Sequence, residues 1–399
     1  MSDMEEEGTV ARVELYEAFA VDTGGGNPAG VVLDAQGMPE REMLTVARDV
    51  GASETAFVTP GDAPHTYHLR YFSPEAEVPF CGHATIATAI AIAERRDEDD
   101  IVMLTRARRV PVQIERRPDG LHAAFTSVPP TITTVPDNIV AAALTTLRWE
   151  PDDLDSRFPA AVCDAGSRHL ILAVGTRERL ARLDYDFDAL RTVLSELDAM
   201  TAQLFWFDSG RDLHSRNPFP VGGIVEDPAT GSAAAALGGY LRHLGVAKPG
   251  DRFVVHQGVD MGRPSKIGVR IGESGQGITV SGRAVRAEPA RRLDDAGQFQ
   301  PTSTAHYVEH LRRSDLSVGT YSIPNGGVDG QQPHTEDEIY IVTAGAATLW
   351  TPTGTVPAPI GAVLFVPAGL PHRFVDVDED FATLVVFGPA EGTRGRMNR

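Results

Sequence analysis

The sequence predicts an α+β protein of two similar lobes followed by an all-β module, and three observations carry that expectation. Val78-Pro79-Phe80-Cys81-Gly82-His83-Ala84-Thr85 runs straight into an alanine-rich stretch, 86–93. Far downstream, Glu226-Asp227-Pro228-Ala229-Thr230-Gly231-Ser232 runs into another, 233–241. A helix that is small and apolar on nearly every face is wrapped on all sides. Its first amides then face the cleft above it, where they suit a carboxylate or a developing anion. Meeting this device twice points to two lobes that aim helix starts at one shared site, the geometry of an enzyme. The third observation is a change of texture from about Val308, where short apolar runs are broken at close intervals by Gly and Pro. That punctuation predicts a small barrel or jelly roll.

Taken in order, 13–20 predicts a strand, Gly24-Gly25-Gly26-Asn27-Pro28 a loop and 29–33 a second strand. Over 39–50, Met43, Val46, Ala47 and Val50 recur at i, i+3, i+4 and i+7, with Gly51 placed as a C-terminal stop. Strands follow at 53–58 and 66–71, then the first small-residue helix at about 84–94 and a charged, solvated helix end over 94–100. Residues 102–106, 110–115 and 121–125 form a meander, the last two joined through Pro118-Asp119-Gly120. The second lobe carries helices near 138–147 and 186–197, a strand at 170–174, its own small-residue helix after Ser232, and strands at 253–256, 267–271 and 277–280. The resulting division is 10–130 for the first lobe, 131–290 for the second, 291–304 for a linker and 305–390 for the all-β module. In that module the apolar runs 339–342, 347–350 and 363–366 are the strand candidates.

Composition narrows the function. A chain of 399 residues holds two or three domains. No apolar run approaches the roughly 18–20 residues of a membrane helix. The acidic start Met1-Ser2-Asp3-Met4-Glu5-Glu6-Glu7 reads as a frayed tail, not a secretion signal. A net charge of -19 argues against nucleic acid and anionic membrane as partners, yet leaves a small acid free to enter a locally positive cleft. The two cysteines, Cys81 and Cys163, form no disulfide scaffold and point to a reducing cytoplasm. The only lysines, Lys248 and Lys266, sit beside turn residues, which argues against a buried Schiff-base lysine.

Single residues stay ambiguous. Glu54, among small and apolar neighbours, is either an edge-strand solvent residue or a functional carboxylate. His83 is either a satisfied histidine at a helix start or a catalytic one. Asp227 has a bland reading as an N-cap, and Ser232 as a small helix residue. Their combination decides. Gly26-Asn27-Pro28-Ala29-Gly30-Val31-Val32-Leu33, Ser53-Glu54-Thr55-Ala56-Phe57-Val58, Arg70-Tyr71-Phe72-Ser73-Pro74, the Cys81-Gly82-His83 string and the Glu226-Asp227-Pro228 string occur in order. So do Gln257-Gly258, Met261-Gly262-Arg263-Pro264-Ser265 and Val280-Ser281-Gly282-Arg283-Ala284-Val285. Together they resemble the signature of the phenazine-biosynthesis isomerase (PhzF-like) family over residues 12–286.

The resemblance implies a fold shared with diaminopimelate epimerase: two pseudo-symmetric lobes, each a curled sheet around a central helix, with the site between them. It implies a homodimer and no cofactor for this part. It also implies Glu54 as the general acid/base, with His83, Asp227 and Ser232 orienting or assisting, and Asn27, Ser53, Gly82 and Gly231 lining the pocket. A glutamate moving protons to and from carbon works best with its pKa lifted by burial. The related epimerases use two cysteines on opposite faces; here Cys81 lies near the first position, but the second half offers Pro228 there and Cys163 sits elsewhere. A single-carboxylate proton shift on one face of the substrate fits better than a two-thiol racemase. Trans-2,3-dihydro-3-hydroxyanthranilate is the acid from which the family takes its activity, and the implied substrate class is a small cyclic or unsaturated carboxylic acid.

Gly326 to Glu338 and Pro367-Ala368-Gly369-Leu370-Pro371-His372 resemble the two motifs of a cupin. In that family a His-x-His-x(3)-Glu string and a later histidine converge on a metal. His334, Glu338 and His372 match three of those positions and Gln332 stands at the first histidine, a weaker ligand than imidazole. The resemblance implies a divalent nickel, iron, manganese or zinc ion in this module; the alternative is that the histidines are polar lining of a barrel. Two further readings of the whole chain remain open. In one the cupin is the catalyst, a metal-dependent oxygenase or isomerase with the N-terminal part as substrate scaffold. In the other the cupin is a non-enzymatic sensor or dimerisation module. The tail 391–396 is expected to be disordered.

Overall fold

Two helices of small side chains decide the architecture. In the first, Gly82–Arg96, every residue from His83 to Ala93 is buried. In the second, Gly231–His243, Gly231 and then every residue from Ala233 to Leu241 is buried. Neither has a polar face to give to water until its last turn, so each can exist only inside a wrapping of sheet. Alanine and glycine let the strands approach closely, and Ile86, Ile90 and Ile92 fill the space that remains. Burial of each such isoleucine contributes about 1.5–3 kcal/mol. The computed structural model describes residues 12–207, 210–288, 292–313 and 315–392. The acidic start, and all of the C-terminal tail except Glu391 and Gly392, lie outside the described residues.

The chain divides into two compact units, Met1–Glu288 and Pro289–Arg399. Apart from the short pair Pro218–Phe219 and Ile224–Glu226, the strands of the first form one continuous sheet bent into two lobes. Around Gly82–Arg96 the strands run Glu14–Ala18, Asn27–Val32, Glu54–Pro60, Thr66–Phe72, Asp100–Leu104, Arg109–Arg117 and Gly120–Thr126. The ring is closed by Thr279–Arg286, which pairs antiparallel with both ends: Val280 lies opposite Phe125, and Ala284 opposite Ala18. Around Gly231–His243 the strands run Thr131–Thr134, Ala161–Asp164, Arg168–Ala173, Thr201–Phe207, Asp212–Arg216, Arg252–Gln257 and Ser265–Arg270, ending again on Thr279–Arg286.

Read from Thr279–Arg286 into Glu14–Ala18 and onward, the first lobe pairs in the order antiparallel, antiparallel, parallel, antiparallel, parallel, antiparallel, antiparallel. From Thr131–Thr134 onward the second lobe repeats that order step for step. Each central helix enters at the same step, ahead of the second parallel pairing. The pseudo-symmetry expected from the doubled motif is therefore a property of the strand pairing.

Local signals explain the termini. The helix Glu40–Val50 ends where Gly51 turns left-handed at φ 68° and returns its N–H to the Ala47 carbonyl. The helix Gly82–Arg96 ends on Asp97 in the same conformation, inside the charged run read as a solvated end.

Two boundaries differ from expectation. Thr279–Arg286, assigned to the second lobe, is shared, because its alternating buried side chains complete the first ring as well. The linker 291–304 is not a free tether over its described part. Gly297 donates its amide to Thr320 Oγ1 and Gln300 to Ser322 Oγ, so backbone polar groups there are satisfied by the C-terminal sheet.

The C-terminal unit is all-β, as its punctuation predicts. A five-stranded sheet runs His306–Arg312, Ser317–Ile323, Phe381–Gly388, Asp337–Ala344, Val363–Val366, and a three-stranded sheet runs Gly354–Ala358, Ala347–Thr351, Arg373–Val375. Tyr340, Phe374, Phe381 and Phe387 lead its own apolar core.

Candidate active site

The starts of the two central helices line one cavity of about 120 Å³ in the first unit. Glu54, the first residue of its strand, lies at the wall, with Glu54 Oε2 3.4 Å from His83 Nε2. His83 is the second residue of the first central helix, and Ser53 Oγ lies 3.2 Å from the same ring nitrogen. Asn27 opens the strand Asn27–Val32 and is buried. Its Nδ2 donates to Asp227 Oδ1 at 2.8 Å and to the Ala229 carbonyl at 3.0 Å, and lies 3.3 Å from His83 Nδ1. Asn27 thus ties the first lobe's histidine to the second lobe's aspartate. Thr230 Oγ1 donates to Asp227 Oδ2, and Gln257 donates to the Asp227 carbonyl and to Thr230 Oγ1. All eight residues expected from the motifs fall in this region: Glu54, His83, Asp227, Ser53, Gly82, Gly231 and Ser232 line the cavity, and Asn27 braces it from behind.

Neither helix start is capped by a side-chain hydrogen bond, so the first-turn amides at Gly82 and Gly231 remain available to a ligand. Burial pushes the Asp227 carboxyl up to about 6, against the pull of His83 and of the Thr230 and Asn27 hydrogen bonds. Cys81 Sγ lies 3.4 Å from His83 Nδ1, and Glu54, Cys81 and His83 gather their polar atoms within 4.8 Å of one another. Burial, reinforced by the Glu54 charge, raises the Cys81 thiol well above its ordinary value. A neutral thiol is neither a strong nucleophile nor a strong metal ligand. Cys163 is buried in another part of the core, its thiol pushed up to about 12, and does not line the cavity. Two opposed thiols are not assembled here.

Residues 16–289 match the family described as phenazine biosynthesis-like protein. The chain belongs to this family. Among relatives, trans-2,3-dihydro-3-hydroxyanthranilate isomerase of Pseudomonas aeruginosa is 32% identical, the match covering 68% of this chain and 95% of that protein. An uncharacterized isomerase of Bacillus subtilis is 30% identical, over 70% of this chain and 97% of that protein. Among solved structures, a phenazine biosynthesis protein of the PhzF family from Bacillus anthracis superposes with a TM-score of 0.63 at 26% identity, covering 69% of this chain and 96% of that one. A Pseudomonas aeruginosa protein described as a predicted epimerase gives a TM-score of 0.62 at 29% identity, covering 71% of this chain and 99% of that one. The two-lobed, epimerase-like fold of the phenazine biosynthesis-like family is thereby shown for the first unit.

Sequence reasoning missed His169. It is buried in the strand Arg168–Ala173, with Nδ1 2.7 Å from Thr201 Oγ1 and Nε2 3.0 Å from Ser232 Oγ. Burial drives its pKa down to about 3, so the ring is neutral and fixes the Ser232 hydroxyl. The strand's apolar run begins one residue later, at Leu170, and a histidine leading such a run was the available signal. By pairing order, Thr201 occupies in the second lobe the place Glu54 holds in the first, and Ser232 the place of His83. The site is therefore symmetric in frame and asymmetric in chemistry: at these paired positions the first lobe offers Glu54 and His83, the second Thr201 and Ser232.

The family match ends at residue 289. In the C-terminal unit, His334, Glu338 and His372 bring one ligand-type atom each within 4.8 Å. Glu338 is almost fully buried, with Oε1 3.9 Å from His334 Nε2 and Oε2 3.7 Å from His372 Nε2. His372 Nδ1 is 2.8 Å from the Leu370 carbonyl, which directs Nε2 toward the cluster. Gln332 does not join it. The segment before Asp337 is not a strand, so side chains there do not alternate as a His-x-His pattern requires, and Gln332 is exposed beside the Gly330 carbonyl. Gln331 turns inward instead, with Oε1 3.0 Å from the Tyr340 hydroxyl, which itself lies 3.0 Å from His372 Nε2. A cavity of about 460 Å³ opens beside His334, Tyr340 and Glu391.

Proposed function

We propose that the chain is an isomerase that shifts a proton between two carbon atoms of a small cyclic or unsaturated carboxylic acid, with Glu54 as the sole acid/base. The observation that carries this reading is the convergence of Glu54 and His83, 3.4 Å apart, on a cavity lined by both helix starts. In the forward step the Glu54 carboxylate removes a proton from the activated carbon, and the C–H electron pair delocalises through the adjoining unsaturation. The first-turn amides at Gly82 and Gly231 hold the substrate carboxylate and spread the enolate-like charge. The protonated Glu54 exchanges its acid proton with solvent and then delivers one to a different carbon on the same face. His83 holds Glu54, while Ser53 and Asn27 hold His83, Asn27 being anchored in turn by Asp227. Relatives are named for trans-2,3-dihydro-3-hydroxyanthranilate, which makes that acid the first substrate to test. In deuterated buffer the wild type should turn it, or a related cyclic unsaturated acid, into product with deuterium on carbon. Glu54→Gln should lose at least about a hundredfold in rate, within the usual range for a general acid/base. Equal deuterium uptake by both proteins refutes the assignment.

A second reading concerns the C-terminal unit alone. We infer a cupin whose His334, Glu338 and His372 hold one divalent nickel, iron, manganese or zinc ion, without Gln332. The support is a buried carboxylate facing two imidazoles, a nitrogen–oxygen donor set suited to such ions. Bound there, the ion would supply Lewis-acid chemistry to whatever enters the neighbouring cavity. Elemental analysis should find one ion per chain, and chelation should lower the unfolding temperature of the wild type but not of Glu338→Gln. A metal-free wild type that chelator leaves unchanged contradicts this reading.

A further inference from the structure

The reaction cavity does not end at the helix starts. Phe80, Ser167, Gly231 and Ser232 line it on one side and, on the other, a larger chamber of about 260 Å³. Most of that chamber is apolar, with Phe125 and Val128 on its walls, and a single cation faces it: Arg108.

Arg108 is held before any ligand arrives. It closes the turn 105–108 between the strands Asp100–Leu104 and Arg109–Arg117: Thr105 N donates to the Arg108 carbonyl at 3.0 Å, and Arg108 N to Thr105 Oγ1 at 3.1 Å. Ala107 N donates to the Pro79 carbonyl at 3.3 Å, tying that turn to the segment that leads into His83. The guanidinium carbon lies 5.2 Å from the Phe80 ring centroid, and Nη1 donates to the Thr126 carbonyl at 3.0 Å. Among the described residues no Asp or Glu pairs with it. The chain is acidic overall, with 55 acidic residues against 36 basic ones, and elsewhere arginines take carboxylate partners. Arg70 is gripped by Glu77 through two bonds, and Arg216 by Glu226 in the same way. Burial lowers the affinity of Arg108 for its proton, the signature of a cation partly withdrawn from water without a counter-charge. An anion placed against the open edge of the guanidinium recovers that cost and satisfies its unused donors in a planar fork.

We propose that the chamber is a substrate subsite for a second carboxylate, so that the acid handled by this enzyme is a dicarboxylate with an apolar or aryl body between its two anionic ends. One end would lie at the helix starts with the reacting carbon, and the other on Arg108. One guanidinium without a second cation matches a single negative charge better than a phosphate dianion. The placement of the reacting end rests on the isomerase reading.

Calorimetric titration of the full-length protein tests the subsite without knowledge of the natural substrate. The probes are phenylacetate against 4-carboxyphenylacetate, and 3-phenylpropanoate against 3-(4-carboxyphenyl)propanoate. The wild type should bind at least one diacid about tenfold or more tighter than its monoacid, the scale of one charge-assisted contact. In Arg108→Met the gap should shrink to about twofold, with monoacid affinity unchanged, and Arg108→Lys should fall between. Equal binding of each pair, survival of the gap in Arg108→Met, or no diacid binding at about 1 mM overturns the proposal. If Arg108→Met fails to fold, Arg108→Lys decides, since it keeps the charge and loses the fork: an undiminished gap there counts against the subsite. Glu54→Gln separates the two claims. A missing diacid preference with exchange still abolished in Glu54→Gln sinks the subsite and leaves the isomerase. A present preference with exchange untouched in Glu54→Gln does the reverse.

Discussion

Asp227 shows how burial sets the behaviour of a single side chain. Its carboxyl rises from 3.8 to about 6 on folding, chiefly through desolvation. A carboxyl with a raised pKa binds its proton more tightly in the folded state. Its contribution to stability is therefore complete below about pH 4 and is lost as pH climbs through about 6. A rise of that size corresponds to roughly 3 kcal/mol. Unfolding of wild type and Asp227→Asn across pH 4 to 7 should accordingly show the wild type losing most of this, roughly 2 kcal/mol, relative to the variant. A difference that stays flat over that range would mean the carboxyl is not protonated at its lower end. Glu54, His83 and Asp227 were each ambiguous alone in the sequence and legible only as an ordered set. His169 was not legible, because its role is to hold Ser232 from a strand remote in sequence, and spacing carries no record of that contact. Gln332 was misread because the motif presumes an extended strand that the chain does not form there.

At the scale of elements, the helices were the most readable because their small-residue faces admit one environment. The strands Glu54–Pro60, Thr66–Phe72 and Ser265–Arg270 were readable from apolar runs and turns. Those at Thr131–Thr134, Ala161–Asp164, Thr201–Phe207 and Asp212–Arg216 were not anticipated. Thr201–Phe207 begins with five consecutive buried residues, so it lacks the alternation that marks a half-exposed strand. Asp212–Arg216 buries Ser215 near Gln257 in place of an apolar side chain. The tight wrapping of the second helix yields a test. A Cβ added at Gly239 would lie 2.4 Å from Pro130 Cβ. Alanine gains about 1 kcal/mol over glycine as a helix former, but the clash should outweigh it. Gly239→Ala should unfold about 1–3 kcal/mol more easily, the range for overpacking a filled core. An increase in stability would mean the connecting segment at Pro130 yields without strain.

For the molecule as a whole, the division at Glu288 matters most. The two isomerases named above are matched over 95% and 97% of their own length, and the family match lies within residues 16–289, so the fold they share is complete without the second unit. Residues 1–288 alone should therefore retain proton transfer within about a few-fold of the full chain. Loss of the reaction on truncation would place part of the site in the C-terminal unit. Among the described residues no helix is long and apolar enough to cross a membrane. The two lobes were visible in the sequence as a repeated motif, whereas the sharing of Thr279–Arg286 between them was not, since a strand's second neighbour leaves no local mark. That shared frame sets a carboxylate, Glu54, at the position where the second lobe has a hydroxyl, Thr201, while Asp227 is held by Asn27 and Thr230, and the chemistry follows from the imbalance. The face on which deuterium arrives tests this most directly. Nuclear magnetic resonance of product formed in deuterated buffer should place deuterium on the same face from which the proton was taken. Delivery to the opposite face would require a second base across the cavity and would contradict the account.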